Sequence, residues 1–407
     1  MSRRLLALLT LACGVAVGNI YFPQTVAPLI AAERHVSPDS AALVVTAVQL
    51  GYAAGIFLLV PLGDRLPHRP LVVILLGLTG LGLLAATIAP EHPLLVSANA
   101  LVGITTVVAP IIGPMAAGLV SADRRGAVSG TLLSGSIGGM LLSRTLAGTL
   151  GDWWGWRAPY LTAAASVLLI AVVMARVLPA TRPASAHPYP ALLAESLRLL
   201  RREPELRRSC WYQAAIFAGF SAVWTAVALL LTGPIYGLGA RAVGLLALVN
   251  AATMVCTPLA GRLVDRHGSD AVNLVCMLGV GASAAVLAFG RLGGTAGLVA
   301  LVAGTLLLDV AMQSGMVANQ VRNYALRPEA RSRVNTAYMT CAYLGGSAGS
   351  WLGVQAYGRF GWLGACGVLA LLAAIALARH LAAARPVSPL SPDPGSPAGC
   401  AVANRTI

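Results

Sequence analysis

Apolar residues run along the chain in twelve long stretches broken by short polar turns. Their approximate spans are 5–30, 40–62, 70–89, 93–119, 126–150, 157–178, 209–232, 241–262, 270–290, 295–320, 333–356 and 361–383. Each is roughly 20 residues or more, enough for a helix to cross a hydrocarbon core of about 30 Å. The runs are continuous and do not alternate with period two. Inside hydrocarbon only helices and closed barrels satisfy their own backbone groups, so the pattern predicts helices. The start, Met1 to Ala16, has the basic and apolar parts of a signal peptide. Its apolar run continues to Ile30, too long for a signal core, and is read as span 1. The expected fold class is an all-α polytopic membrane protein with twelve transmembrane helices.

The polar interruptions repeat. Between spans 2 and 3 lies Leu59 to Val73, holding Asp64, Arg65, His68 and Arg69; between spans 8 and 9 lies Pro258 to Asp270, holding Gly261, Arg262, Asp265, Arg266 and Gly268. Asp64-Arg65 and Asp265-Arg266 are offset by 201 residues; Arg125 and Arg331, Val128 and Val334, Gly155 and Gly361, and Trp156 and Trp362 are all offset by 206. Two pseudo-symmetric six-helix halves follow, residues 1–178 and 209–384. Residues 179–208 form a linker in which Leu192, Leu193, Leu197 and Leu200 recur at helical spacing opposite Arg198, Arg201 and Arg202. That is an amphipathic helix, expected along the inner membrane surface. Residues 385–407, rich in Pro, Ser and Gly, are expected to be a disordered cytoplasmic tail.

Composition narrows the class. Of 407 residues 57% are hydrophobic and 10% charged, whereas soluble chains carry about 25% charged residues. The formal net charge is +14, which raises the question of nucleic acid. All 28 basic residues are arginine and most sit in the turns between spans, where they orient a membrane protein. With the N-terminus inside, 22 arginines lie on the cytoplasmic side and 5 on the other. Both termini are therefore expected in the cytoplasm and no nucleic-acid partner is expected. The seven cysteines are scattered singly, and the six histidines fall in loops or near helix ends. Neither forms a metal site or a disulfide framework. With no catalytic cluster and no nucleotide-binding motif, neither an enzyme nor a cofactor is expected.

Two charges remain at membrane depth. Asp309 lies near the middle of span 10, where a carboxylate costs at least about 2.5–3.5 kcal/mol. Such an acid faces a cavity or a partner, and desolvation favours its neutral form, which makes it a candidate proton carrier; a structural acid tied to neighbouring helices is the alternative. Arg144 in span 5 lies roughly 9 Å nearer the outer face at 1.5 Å per residue. It can pair with Asp309, snorkel outward, or bond to span 1. Span 1 carries Gly18-Asn19-Ile20-Tyr21-Phe22-Pro23-Gln24 in its outer half. The runs Ser134–Gly139 and Gly345–Ser350 are dense in small residues that let helices approach closely.

The second interruption, Gly261-x-x-x-Asp265-Arg266-x-Gly268, resembles the signature loop between helices 2 and 3 of major facilitator superfamily transporters. In the first copy Pro67 replaces the last glycine, and Asp64 and Arg65 carry the match. Gly18 to Gln24, Val45 to Tyr52, and Asn319-Gln320 with Arg327 to Arg333 are similar to the bacterial drug and sugar efflux branch. The resemblance covers residues 5 to 383. It implies a central cavity lined by helices 1, 4, 7 and 10, and so nominates Asn19, Tyr21, Gln24, Asn99, Tyr212, Gln213, Phe217, Phe220, Trp224 and Gln313, with Asp309 and Arg144 as proton-coupling residues. It implies a cytoplasmic gate of Asp64, Arg65, Arg69, Asp265 and Arg266. The implied activity is proton-coupled efflux of a small organic molecule, a drug or sugar, from a monomer in the bacterial inner membrane. The implied partners are that substrate, protons and the lipid bilayer. An importing symporter, a non-transporting sensor and a membrane enzyme are the alternatives.

Overall fold

The computed structural model describes residues 1–179, 188–327 and 330–384. The expected tail and the first part of the linker lie outside them. Spans 1 to 3 are α1 (Arg3–Arg34), α2 (Pro38–Leu59) and α3 (His68–Ile88). Span 4 is two helices, α4 (His92–Thr105) and α5 (Val108–Gly118); spans 5 and 6 are α6 (Ala122–Trp154) and α7 (Arg157–Val177). The linker contains α8 (Tyr189–Arg202). In the second half span 7 is α9 (Pro204–Thr232), and span 8 runs from α10 (Ala240–Val249) into the first part of α11 (Thr253–Ala288), which breaks at Gly268 (φ 80°, ψ 161°) so that its second part is span 9. Spans 10 to 12 are α12 (Gly294–Leu326), α13 (Arg331–Phe360) and α14 (Trp362–Ala384).

All regular elements among the described residues are helical. Among the described residues ten spans are long and apolar enough to cross a membrane, α4 and α5 counting together as one. The other two passes fall short, span 8 in length and span 11 in apolarity, for identifiable reasons. Span 8 is interrupted by a turn at Asn250–Ala252, and α13 is rich in Gly, Ser, Thr and Tyr because it packs on other helices. Span 7 starts at Pro204, a few residues before the sequence pattern places it.

Span 4 breaks for a local reason. Pro110 lacks the N–H that would bond to the Thr106 carbonyl four residues earlier. The backbone turns there, Val108 N donates to Thr106 O at 2.8 Å, and the Thr106 hydroxyl donates to Ala16 O at 2.8 Å. Neighbouring α1 thus anchors the Thr106 side chain at the break.

The two halves repeat in detail. α6 and α13 both end at a glycine with positive φ, Gly155 (78°) and Gly361 (62°), which L side chains rarely adopt. The tryptophans that follow, Trp156 and Trp362, are both buried. Within each half a glycine crossing joins spans 1 and 5 or their counterparts, spans 7 and 11. A Cβ on Gly139 of α6 would lie 2.1 Å from Gly14 O of α1, and one on Gly349 of α13 would lie 2.0 Å from Ala218 O of α9. Between halves, α2 packs on α13 and α6 on α10. The obstacle at Gly349 is backbone, which cannot rotate away. Gly349→Val is expected to destabilise the protein by at least about 1–3 kcal/mol, read as a lower melting temperature in detergent. An unchanged melting temperature would contradict the close crossing.

Candidate functional site

At mid-depth between the halves lies a closed ring of aromatic side chains. The hydroxyls of Tyr21 (α1) and Tyr343 (α13) are 3.1 Å apart, and Tyr343 meets Phe217 (α9) edge-on at 5.1 Å. Phe217 stacks on Phe220 at 5.6 Å, and Phe220 meets Trp224 at 6.3 Å. The Arg144 guanidinium of α6 closes the ring, 4.1 Å from the Trp224 centroid, 5.1 Å from Tyr21 and 5.8 Å from Phe220. A desolvated cation on aromatic faces gains about 2 kcal/mol or more. Arg144 Nη2 also donates to Gln24 Oε1 at 2.6 Å.

The Trp224 indole joins the two buried charges. Its face carries Arg144, and its Nε1–H donates to Asp309 Oδ1 of α12 at 3.0 Å. Arg144 is 0% exposed and Asp309 1%, so both charges lie away from bulk water. The sequence leaves open whether these charges meet. They do so through tryptophan, with α6 contributing from the first half and α9 and α12 from the second.

Several polar atoms of this cluster are buried without a hydrogen-bond partner. They are Gln24 Nε2, Arg144 Nε and Nη1, Asp309 Oδ2, and Gln313 Oε1 one turn further along α12. Buried polar groups are normally satisfied, so unpartnered ones clustered at one place call for an occupant.

Of the nominated residues, Tyr21, Gln24, Phe217, Phe220, Trp224, Asp309 and Arg144 come together here, with Gln313 beside them. Four others are engaged elsewhere. Asn19 Nδ2 donates to the Thr106 hydroxyl (3.3 Å) and supports the break in span 4. Asn99 accepts from Tyr160 of α7 (3.0 Å). Tyr212 accepts from Arg208 Nε (2.7 Å) and faces His380 of α14, while Gln213 accepts from Tyr338 of α13 (2.9 Å).

Spans 2 and 11 supply residues that the pattern of cavity helices omits. Gln49 of α2 lies 3.1 Å from the Ser221 hydroxyl of α9 and accepts from Ser350 of α13 at 3.3 Å. Ser347 donates to Thr46 O at 3.0 Å, and Tyr52 meets Tyr343 at 4.5 Å. These bonds cross between halves. One amide inside the apolar run 45–52 was their only visible signal.

The arginine-poor end is closed. Both carboxylate oxygens of Asp152, at the end of α6, accept from the first N–H groups of α10, those of Ala240 and Arg241, each at 2.8 Å. An acid at a helix N-terminus complements the helix dipole. Below it the Thr145 hydroxyl donates to Gly244 O at 2.8 Å. Asp152→Ala is expected to remove about 0.5–2 kcal/mol from this closure, as for a lost helix cap. A cysteine placed at Ala228, one turn beyond Trp224, should then label faster from that side than in the parent protein. Equal labelling rates would argue against Asp152 as a latch.

At the arginine-rich end a cavity of about 450 Å³ opens between α5, α6 and the start of α13. Here Arg69 donates to Ala175 O, and Arg65, Asp265 and Arg266 are exposed. The ion pairs of the second half centre instead on Asp270, which binds Arg208 at 2.8 Å and also Arg322, with Glu205 beside them. Helix α8 bridges the halves: the Tyr189 hydroxyl donates to Leu58 O at 2.6 Å and Glu195 pairs with Arg333 of α13 at 3.0 Å. A second cavity of about 580 Å³, between α1, α6 and α7, opens among the exposed Leu11, Leu142 and Leu146 and is separate from the ring.

The Major Facilitator Superfamily profile matches residues 8–350 and 233–402. The uncharacterised transporter YgaY of Escherichia coli O157:H7 is 35% identical over 366 residues, 90% of this chain and 92% of that one. The probable transporter SCO4007 of Streptomyces coelicolor is 35% identical over 368 residues, 90% and 84% of the two chains. Multidrug resistance protein D of Escherichia coli is 26% identical over 183 residues, 45% and 46% of the two. A mutant of the nucleoside transporter NupG, known from its crystal structure, shares the fold with a TM-score of 0.74 at 13% identity, over 93% of this chain and 99% of that one. Twelve passes in two repeated halves, the Asp-Arg loops and these matches agree: the chain belongs to the major facilitator superfamily of membrane transporters.

Proposed function

We propose that this transporter is a proton-coupled antiporter that exports a small organic molecule across the bacterial inner membrane, acting as a monomer by alternating access. The arginine-rich end faces the cytoplasm, with both termini on that side, because arginine retention orients such proteins. Residues 1–178 and 209–384 move as two bodies about the aromatic ring, joined by the linker at 179–208. The observation that carries the reading is the buried Arg144–Trp224–Asp309 relay between the halves, with unpartnered donors and acceptors around it.

The relay couples protonation to conformation. Arg144 of α6 and Tyr21 of α1 are the titratable groups that interact electrostatically with Asp309. With Asp309 ionised the site is charge-balanced across the half-to-half boundary. A proton on Asp309 leaves Arg144 held only by the rings and Gln24, which weakens that attraction. Opening the arginine-poor end then requires breaking the Asp152–α10 bonds and the Tyr21–Tyr343 and Gln49–Ser350 contacts. Asp64, Arg65, Arg69, Asp265 and Arg266 gate the cytoplasmic end, Asp64 through its attraction to Arg333. One proton crossing 100 mV supplies about 2.3 kcal/mol before any pH gradient. The name of one relative, a multidrug resistance protein, favours export over import.

The test is proteoliposomes enclosing a pH-sensitive dye, challenged with drugs, sugars and amino acids. Antiport predicts that a transported compound moves protons in the opposite direction to itself. Co-movement in one direction would make the protein a symporter, and flux indifferent to pH would remove the coupling altogether.

A further inference from the structure

We propose that the substrate is a small zwitterion, its carboxylate received by Arg144 and Gln24, its ammonium by Asp309 and Gln313, and its apolar body held among the rings. The inference rests on the transport reading above and names the class of molecule that the same site takes.

The unpartnered atoms divide by chemistry. Arg144 Nε and Nη1 and Gln24 Nε2 are donors, and all three belong to the first half of the chain. Asp309 Oδ2 and Gln313 Oε1 are acceptors, and both stand on α12 of the second half. All four side chains are at least nine-tenths buried. The rings of Tyr21, Phe217, Phe220, Trp224 and Tyr343 lie around and between the two groups. A ligand that satisfies both must present an acceptor at one end and a donor at the other, a short distance apart.

Charge balance selects among such ligands. Arg144 and ionised Asp309 sum to zero. With Asp309 ionised, a bound cation would take the site to +1, the charge it otherwise carries only in its proton-bound state, and a bound anion would take it to −1. A zwitterion keeps the sum at zero and pairs each pole with an opposite charge. A carboxylate also matches the planar guanidinium fork better than a neutral acceptor does. The same geometry produces exchange: a proton on Asp309 Oδ2 removes the acceptor that the ammonium needs, so substrate and proton compete for one oxygen.

The experiment is equilibrium calorimetry on the purified full-length protein at fixed neutral pH. The probes are phenylalanine and leucine, each alongside its methyl ester (a cation) and its N-acetyl derivative (an anion). The parent amino acids are expected to bind about tenfold or more tightly than either derivative, a difference of about 1.4 kcal/mol. Arg144→Gln should shift preference toward the ester and Asp309→Asn toward the N-acetyl form. Should either variant fail to fold, the wild-type series still decides. Binding of an ester or N-acetyl compound as tightly as its parent, or no binding by any of the six, overturns the proposal. Fixed-pH binding involves no gradient, so it separates this inference from proton coupling. Zwitterion preference without a response to a pH gradient would remove only antiport, and a pH-driven flux of a cation or anion would remove only the zwitterion.

Discussion

Replacing Asp309 by asparagine is expected to abolish pH-driven transport while leaving the protein folded. Asparagine has nearly the shape of the protonated acid and its carbonyl can still accept from the Trp224 indole, the bond now made at 3.0 Å. It cannot release a proton. The variant is therefore fixed in the proton-bound form and cannot couple the movement of substrate to that of protons. At 100 mV one proton can sustain a gradient of roughly fifty-fold, from about 2.3 kcal/mol. In the variant that gradient should collapse to none in proteoliposomes, with the protein still folded and its melting temperature lowered because Arg144 loses its buried counter-charge. A variant that still concentrates substrate when the pH is jumped would show that the proton travels elsewhere.

The second large effect is expected at Arg144. Removing one member of a buried charge pair costs about 3–5 kcal/mol, since the other is left without compensation. Arg144→Gln should therefore lower the melting temperature sharply and stop transport. Lysine is not expected to rescue it. A compact ammonium cannot spread over the Trp224, Tyr21 and Phe220 faces while also reaching Gln24. The double variant Arg144→Gln with Asp309→Asn carries no buried charge at this site. It should be more stable than Arg144→Gln alone, with a coupling of about 0.5–3 kcal/mol between the two positions. Strictly additive losses in that cycle would mean that the indole-bridged charges do not sense each other.

Asp309 and Arg144 were visible in the sequence because each stands out in an apolar run, and the cost of burying a charge attaches to the residue itself. Tyr21, Gln24, Phe220 and Trp224 were nominated by belonging to helices 1 and 7, and they do gather around those charges. Asn19, Asn99, Tyr212 and Gln213 were nominated on the same ground, yet bond to Thr106, Tyr160, Arg208 and Tyr338. Gln49 and Tyr343 went unmarked because their spans, 2 and 11, are not among the helices that the resemblance assigns to the cavity.

The sequence alone determined the twelve crossings, the duplication and the bias of arginine to one side. Transfer of a run into hydrocarbon depends on that run's own composition and length, and the repeated Gly-Trp ends and Asp-Arg loops are local in the chain. Tertiary structure decided which face of each helix looks at the centre. Successive residues turn by about 100°, so the rotation of a helix separates Tyr21 from Asn19. That rotation is set by contacts such as Gly139 on Gly14 and Gly349 on Ala218, where backbones meet directly. The joining of Arg144 to Asp309 through Trp224 was decided in the same way, because it needs three helices from two halves to be packed before any of the three side chains has its partner.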